Sequence, residues 1–458
     1  MELQNQKYSA TDNLDFIHTL CENYAVDNAL SLDPRMNPNV KRGLRNEDGT
    51  GVMAGYTQIG NVQGYAMIDG EKTPMEGRLI YRGYDIMQLI AGYSHEKRFG
   101  FEEVAYLLLF GKLPTKAQYE RFCDLLFSYM TLPENFTEDM ILKHPSRDIM
   151  NKLARSVLAL YSSDENPDDI ALENITRQCI ELIARFPMIV AHAYAVKRHY
   201  FDYDSLYLHR PKEGLSIAEN FLHAIRHDKQ FTEEEARLLD LCLVIHAEHG
   251  GGNNSTFACR VLSSTGTDTY SAIAAAVGSL KGPKHGGANR QVMAQFEEIK
   301  ANVCDWKDEE EVANYLRRIL RKEVSDHSGL IYGMGHAVYT KSDPRALVLK
   351  RNARSLAAAT GLGDEFALLE TIERLTPGLF AEETGNKKAI CANVDMYSGL
   401  VYQMMNIPPE LFTPLFAIAR VAGWCAHRIE EVMTGGRIIR PAYKAVAPQR
   451  QYVPMADR

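Results

Sequence analysis

Two stretches decide how this chain is read: His246–Phe257, HAEHGGGNNSTF, and Gly282–Asn289, GPKHGGAN. Each sets a histidine where glycine or proline breaks a helix. Upstream, Thr232 and Glu235 have capping-box spacing, in which each side chain satisfies the other's free backbone N–H. The helix they open carries Leu238, Leu239, Cys242 and Ile245 and delivers His246 and His249 to its C-terminal end, where Gly250–Gly252 stop it. A small-residue helix over 271–280 ends at Gly282-Pro283, and another begins just after His285. Short helices whose ends carry histidines predict a helical fold with a site built at helix termini.

Working outward, helical spacing dominates. Val104, Leu107, Leu108 and Phe110 share one side of a helix that Gly111 stops, 165–200 reads as long helices, and Leu215–Ile225 and Asp308–Leu320 read as further ones. Asp343-Pro344 is an N-cap followed by proline at the first helical position, so Arg345 lies in a first turn. Pro408-Pro409 open a last long helix through Trp424 to about Val432, and the tail after Gly436 is irregular. Leu14, Ile17, Leu20 and Tyr24 predict one amphipathic helix within the first 40 residues. The exception is Asp48–Gly70, whose glycines and alternating apolar residues predict two or three short strands, with helix from Tyr81 onward. The expected class is mainly α, more than half helical, with a few short N-terminal strands. The loop-rich 250–285 and 330–395 regions place a cleft between a larger and a smaller domain.

Composition narrows the function. A chain of 458 residues with 45% hydrophobic and 24% charged residues is ordinary for a globular protein. A net charge of −8 argues against a general nucleic-acid or acidic-membrane surface, so an anionic ligand needs local arginine or lysine. The eight cysteines include no CxxC pair and read as reduced, mostly buried thiols of a cytoplasmic protein. MELQNQKYSATDNLDF has neither signal-peptide nor transit-peptide character, and no uninterrupted apolar run approaches a membrane span.

The loop residues suggest one chemistry. Gly286-Gly287 would let a ligand approach the backbone beside His285, and the adjoining helix start favours a neutral imidazole there. A neutral imidazole N–H can stabilise a carbonyl oxygen that becomes an enolate. Alone, such a histidine reads as a cap or packing residue. His246 and His249 share a helix face, but zinc proteases need histidines four apart with a glutamate next to the first, so His-Ala-Glu-His fails as that motif. One of the pair is expected to be structural, and His249, beside the glycines, is the better ligand contact. His336 sits in a second glycine-framed loop, GMGHAVYTKSDPR, and Arg345 can offer a bidentate fork to a carboxylate. Asp395, in Asn393-Val394-Asp395, is either an N-cap or a general base. As a base beside a carbonyl it needs the oxygen stabilised at the same time, which His285 would supply. Arg420, flanked by Ile418, Ala419, Val421 and Ala422, points into a cleft or interface and needs an anionic partner. Arg440 alone reads as a surface arginine.

HAEHGGGN, GPKHGGAN, GMGHAVYTKSDPR and NVDMYSG, followed by Arg420 and RPAY, resemble the citrate synthase family in order and spacing. DGTGV, EGRLIYRGYDI, FEEVAYLLLFGKLPT and LSIAENFL resemble its N-terminal segments, so the resemblance covers roughly 45–445. It implies a two-domain helical fold: an extension over 1–44, a large domain over 45–286 and 407–458, and a small domain over 287–406. It implies a homodimer that condenses acetyl-CoA with oxaloacetate and hydrolyses the thioester, with no cofactor and no metal. By motif, His285 would stabilise the acetyl-CoA enol, Asp395 would remove the methyl proton, and His336 would polarise the oxaloacetate carbonyl. His249, Arg345 and Arg420 would hold the oxaloacetate carboxylates, with Arg440 serving the neighbouring subunit. For coenzyme A, the backbone from Leu330 through Ile331 and Gly333 to Gly335 would contact the adenine, with Asn393 and Lys388 along the pantetheine and phosphates. Several relatives carry arginine where this chain has Thr340, so Lys341 would substitute. The rival is 2-methylcitrate synthase, which uses propionyl-CoA. Two other classes are a metal-dependent hydrolase, which a chelator would inactivate, and a non-catalytic helical scaffold, against which the complete histidine loops argue.

Overall fold

Every residue from Phe412 to Arg428 is buried, in the helix Phe412–Met433. A helix apolar on all sides lies inside a fold rather than on it, and this one is the axis around which the others are laid. The computed structural model describes residues 40–457 except 48, 70, 387 and 444–449, and of the first 39 only 11, 15, 17–19 and 21. Leu14, Leu20 and Tyr24 of the expected N-terminal helix lie outside the described residues, and Ile17 is helical and exposed. Met1–Ala54 and Gly55–Arg458 are separate units. Within the first, Arg42–Leu44 form a single 3₁₀ turn and Arg45 bridges Gly51.

The second unit begins with an antiparallel sheet, β1 (Gly60–Ile68), β2 (Glu71–Tyr81) and β3 (Tyr84–Asp85). The strands start later and run longer than the glycine pattern of 48–70 predicts. EKTPMEGR carries charge and proline through β2, so the alternation that marks a half-buried strand is lost. The hairpin is specified instead by what lies on it: a Cβ at Gly64 would come within 2.4 Å of the Val338 carbonyl oxygen. The buried Thr340 hydroxyl donates to the Gly64 carbonyl at 2.5 Å. The residue that departs from the family pattern therefore ties the His336 loop to the sheet.

The helices follow as α1 (Ile86–His95), α2 (Phe101–Phe110), α3 (Lys116–Met130), α4 (Ile149–Leu160) and α5 (Leu172–Phe201). Next come α6 (Ile217–Ile225), α7 (Glu233–His246), α8 (Asn254–Ser263) and α9 (Thr269–Lys281). Last are α10 (Ala288–Asn302), α11 (Glu309–Leu320), α12 (Pro344–Ala359), α13 (Gly363–Thr384), α14 (Asp395–Met404) and α15 (Phe412–Met433). The protein is 59% helical. Capping agrees with the sequence: Thr232 and Glu235 form the predicted box, and Asp343 caps α12 with Pro344 in its first turn. Pro408-Pro409 lead into a 3₁₀ turn at Pro409–Leu411, and the long helix starts after it. The expected helices of 165–200 are one 30-residue helix, α5, that runs through Pro187. It is long and apolar enough to cross a membrane, yet 83% of its apolar window is buried inside the protein.

Helices α2, α5, α7, α8 and α9 pack against α15. Helices α10 and α12 pack against α14, and α11 against α13. Helix α7 also meets α12, which brings the C-terminal end of one and the N-terminal turn of the other to one place.

Candidate active site

Helix α7 ends at His246, whose Nδ1 bonds the Cys242 carbonyl of its own last turn at 2.8 Å. Its ring packs edge-on to Phe416 with centroids 4.7 Å apart. Burial, with the Arg345 charge next, pushes its pKa down to about 3. His246 is thus the structural member of the pair. His249 is buried too, its Nε2 has no hydrogen-bond partner among the described residues, and burial with the Arg345 and Arg420 charges holds it well below the usual histidine range. A buried polar atom left open in this way costs stability and is free to meet a ligand.

His249 meets the second histidine loop. Its ring lies 5.2 Å from that of His336 and 5.6 Å from that of Tyr339. The Val338 and Tyr339 backbone N–H groups both donate to His336 Nδ1 at 3.0 Å. Nδ1 is therefore an acceptor, and the ring proton of neutral His336 sits on Nε2. The loop is carried by Gly333 and Gly335, at φ of 84° and 89°. Asn393 secures it: its N–H donates to the Gly333 carbonyl at 2.8 Å and its side-chain amide to the Gly335 carbonyl at 2.9 Å. Asn393 Oδ1 accepts the Asp395 N–H at 3.0 Å, so the same residue sets the start of α14.

His285 is oriented by a residue that sequence reasoning passed over. Ser255, in the first stretch quoted, lies 3.0 Å from His285 Nε2, and Trp424 Nε1 donates to the same hydroxyl oxygen at 3.2 Å. The Ser255 hydroxyl in turn donates to Asn253 Oδ1 at 3.0 Å, so one serine oxygen ties the His285 ring to both Asn253 and Trp424. The signal in the sequence was a serine at a helix start, which reads as a cap until a histidine thirty residues on folds against it (|i−j| = 30). Burial, then the Arg420 charge, lowers the His285 pKa to about 4. The neutral ring is as expected, and burial with a neighbouring cation favours it. Gly286 also has a different reason from the expected one: its Cβ would lie 2.6 Å from the Leu280 carbonyl, because the loop folds back onto α9. Replacing Ser255 with Ala is expected to lower kcat about tenfold by releasing the His285 ring, and to lower the melting temperature because the buried Trp424 indole N–H loses its acceptor. Steady-state kinetics beside thermal unfolding check it.

The two arginines differ. Arg345 is buried, and its Nε and Nη2 bond Asp343 Oδ1 and Oδ2 at 3.0 and 2.7 Å. Arg420 is fully buried; its Nε donates to the His246 carbonyl at 2.6 Å, and among the described residues Nη1 and Nη2 have no hydrogen-bond partner. Its charge acts on His249, His285, Asp395 and Arg345 alike. Asp395 is the first residue of α14, whose N-cap is Val394, so the capping reading of the aspartate fails. Burial raises its carboxyl to about 6 against the opposing pull of Arg345 and Arg420.

His249, His285, His336, Arg345, Asp395 and Arg420 therefore form one electrostatically linked group. Arg440 stands apart, exposed beyond α15. Leu330, Lys341 and Lys388 are exposed and Ile331 is buried. One buried histidine with an open nitrogen, two imidazoles each held at one ring nitrogen, a carboxylate raised to about 6 and an arginine with two open Nη nitrogens can bind a small anion and move a proton from carbon.

A family profile described as citrate synthase, C-terminal domain, matches residues 48–442. A citrate synthase of Synechocystis sp. is 35% identical over 411 residues, 89% of this chain and 92% of that protein. A 2-methylcitrate synthase of Shewanella oneidensis is 33% identical over 383 residues, 83% of this chain and 92% of that protein. The solved ternary complex of citrate synthase from Thermoplasma acidophilum with carboxymethyl coenzyme A and oxaloacetate superposes with a TM-score of 0.75 at 28% identity, covering 92% of this chain and all of that one (100%). By its motifs, its helical architecture and these matches over nearly its whole length, the chain belongs to the citrate synthase family.

Proposed function

We propose that this protein condenses acetyl-CoA with oxaloacetate and hydrolyses the citryl thioester to citrate and coenzyme A. The observation that carries this is the arrangement around Arg420: a carboxylate near pKa 6 with two imidazoles, each held at one ring nitrogen. Asp395 removes a proton from the acetyl methyl group while the His285 imidazole stabilises the enol oxygen. The enol carbon attacks the oxaloacetate ketone, and His336 Nε2–H protonates the oxygen formed there. His249, Arg345 and Arg420 hold the oxaloacetate carboxylates. Arg345 is already paired with Asp343, so Arg420 offers the open guanidinium nitrogens for a carboxylate. Neutral imidazoles suit both oxygens, because each must donate a hydrogen bond at neutral pH without a second charge being buried.

Arg440 serves the site of a second copy in a homodimer. Its exposure supports this, as do the exposed Ile438, Tyr443 and Met455 on the same C-terminal segment, apolar surface that an interface would cover. The large domain comprises 45–286 and 407–458, and 287–406 form the small one. Coenzyme A lies along the backbone of Leu330, Ile331, Gly333 and Gly335, with Lys341, Lys388 and Asn393 toward its phosphates and pantetheine. The Asn393 side chain is engaged within the protein at both ends, so its part is to hold the loop. The enzyme works in the cytoplasm, and the reaction calls on no cofactor.

The test is release of coenzyme A thiol from acetyl-CoA with and without oxaloacetate. Release only in its presence is expected, and equal release in its absence would reduce the protein to a thioesterase. Relatives of both substrate types match at similar identity, so propionyl-CoA is run beside acetyl-CoA. One methylene is worth only ~1–3 kcal/mol in an apolar pocket. A higher kcat/KM for propionyl-CoA would make the enzyme a 2-methylcitrate synthase.

A further inference from the structure

Glu248 lies between the two histidines of HAEH and has no part in the chemistry above. It is fully buried, yet its surroundings are built to keep it charged. Oε1 accepts the Gly250 backbone N–H in a short bond and lies 3.0 Å from His427 Nε2. Glycine clears space for it on both sides: a Cβ at Gly60 would come within 2.8 Å of its Cγ, and one at Gly423 within 2.5 Å of Oε2. Burial alone would raise this carboxyl; His427, Arg420 and the Gly250 N–H outweigh it and hold it below the usual range. Behind His427 stands Glu430, whose Oε2 is 3.9 Å from His427 Nδ1 and 2.6 Å from Arg260 Nη2.

The placement resolves a conflict in the site. Arg420 is a buried cation and needs a counter-charge before substrate arrives. Asp343 is committed to Arg345. Asp395 must stay unpaired, because an ion pair with Arg420 would weaken it as a base. Glu248 supplies the charge from close by: Arg420 Nε holds the His246 carbonyl two residues before it, and its Oε2 faces Gly423, one turn along α15 from Arg420. Its Oε1 bonds Gly250 and His427, so among the described residues Arg420 Nη1 and Nη2 stay open. The same carboxylate fixes the turn that presents His249.

We infer that Glu248, held by His427, is a positioning residue that keeps Arg420 set to receive an oxaloacetate carboxylate. This rests on Arg420 being an oxaloacetate clamp, and the test separates the two. E248Q, R420Q and the double variant are assayed as full-length enzyme for KM of each substrate and for kcat. E248Q is expected to raise KM for oxaloacetate roughly 10–100-fold, with KM for acetyl-CoA within about twofold and kcat less affected. In the R420Q background the same change is expected to add less than about twofold, because its route to substrate is gone. An equal effect in both backgrounds, or none in the first, overturns the inference. An R420Q enzyme with unchanged KM for oxaloacetate overturns the clamp instead. Should E248Q fail to fold, the cycle is run with H427N, which leaves the carboxylate and removes its partner. The same non-additivity is then expected, and additive effects overturn the inference.

Discussion

Replacing Asp395 with Asn is expected to lower kcat roughly 10²–10⁴-fold, the range for loss of a positioned general base. KM for oxaloacetate should change little, since Arg345, Arg420 and His249 remain. The carboxyl is raised to about 6 by burial, and a base must be unprotonated to act. The wild-type rate should therefore fall about tenfold per unit as pH drops below about 6. His285, at about 4, stays neutral through the upper part of that limb. The linkage sign gives a second readout. The folded pKa lies above the ordinary 3.8, so the native state holds the proton more tightly than the unfolded chain. Stability is lost as pH rises from the unfolded value to the folded one, and above about 6 the loss is complete. At neutral pH the Asn variant, which carries no charge to bury, should be the more stable, by on the order of 2–3 kcal/mol. A melting curve at pH 7 and another at pH 4 check this: the gain should appear in the first and shrink in the second. Retained turnover would remove Asp395 from the mechanism, and a lower melting temperature at both pH values would contradict the burial argument.

Replacing His285 with Ala is expected to cost about 10²–10³-fold in kcat, the usual loss of one preorganised donor to an oxyanion. The loss should fall on kcat more than on KM for oxaloacetate, because the donor acts on the enol oxygen of the other substrate. The S255A loss of kcat should vanish in the H285A background, since Ser255 reaches the chemistry only through that ring. Exchange of the acetyl methyl protons with solvent, followed in the presence of a non-reacting oxaloacetate analogue, isolates the step. It should slow by a similar factor, and an unchanged exchange rate would place His285 outside enolisation.

Much of the fold was legible because helix ends are written locally. The Thr232–Glu235 box, the Asp343-Pro344 start and the Gly111 stop are contacts between residues two to four apart, and the structure forms them, whereas α7 ends at His246, ahead of Gly250–Gly252. The strands were less legible: β2 is half exposed and charged, and its register depends on Thr340 and the His336 loop, far away in the chain. The single 30-residue α5 was missed for a related reason, since proline inside a pattern predicts a break, whereas here the packing of α3, α4, α6 and α15 around the helix carries it through Pro187.

Among the site residues, the sequence by itself determined the reacting types: three loop histidines, an aspartate at a helix start and arginines in apolar or proline-led contexts. It also showed that the HAEH spacing fails as a zinc-protease motif. Only the tertiary structure decided what holds each imidazole, that burial lifts the Asp395 carboxyl to about 6, and that Arg345 is paired while Arg420 is open. The reason is physical. Residue identity sets what a group can donate or accept, but tautomer, charge state and pairing depend on dielectric and on neighbours brought from distant segments. Ser255 and Trp424, Glu248 and His427, Asn393 and Gly335 are such neighbours, and each pair is made only when the chain has closed.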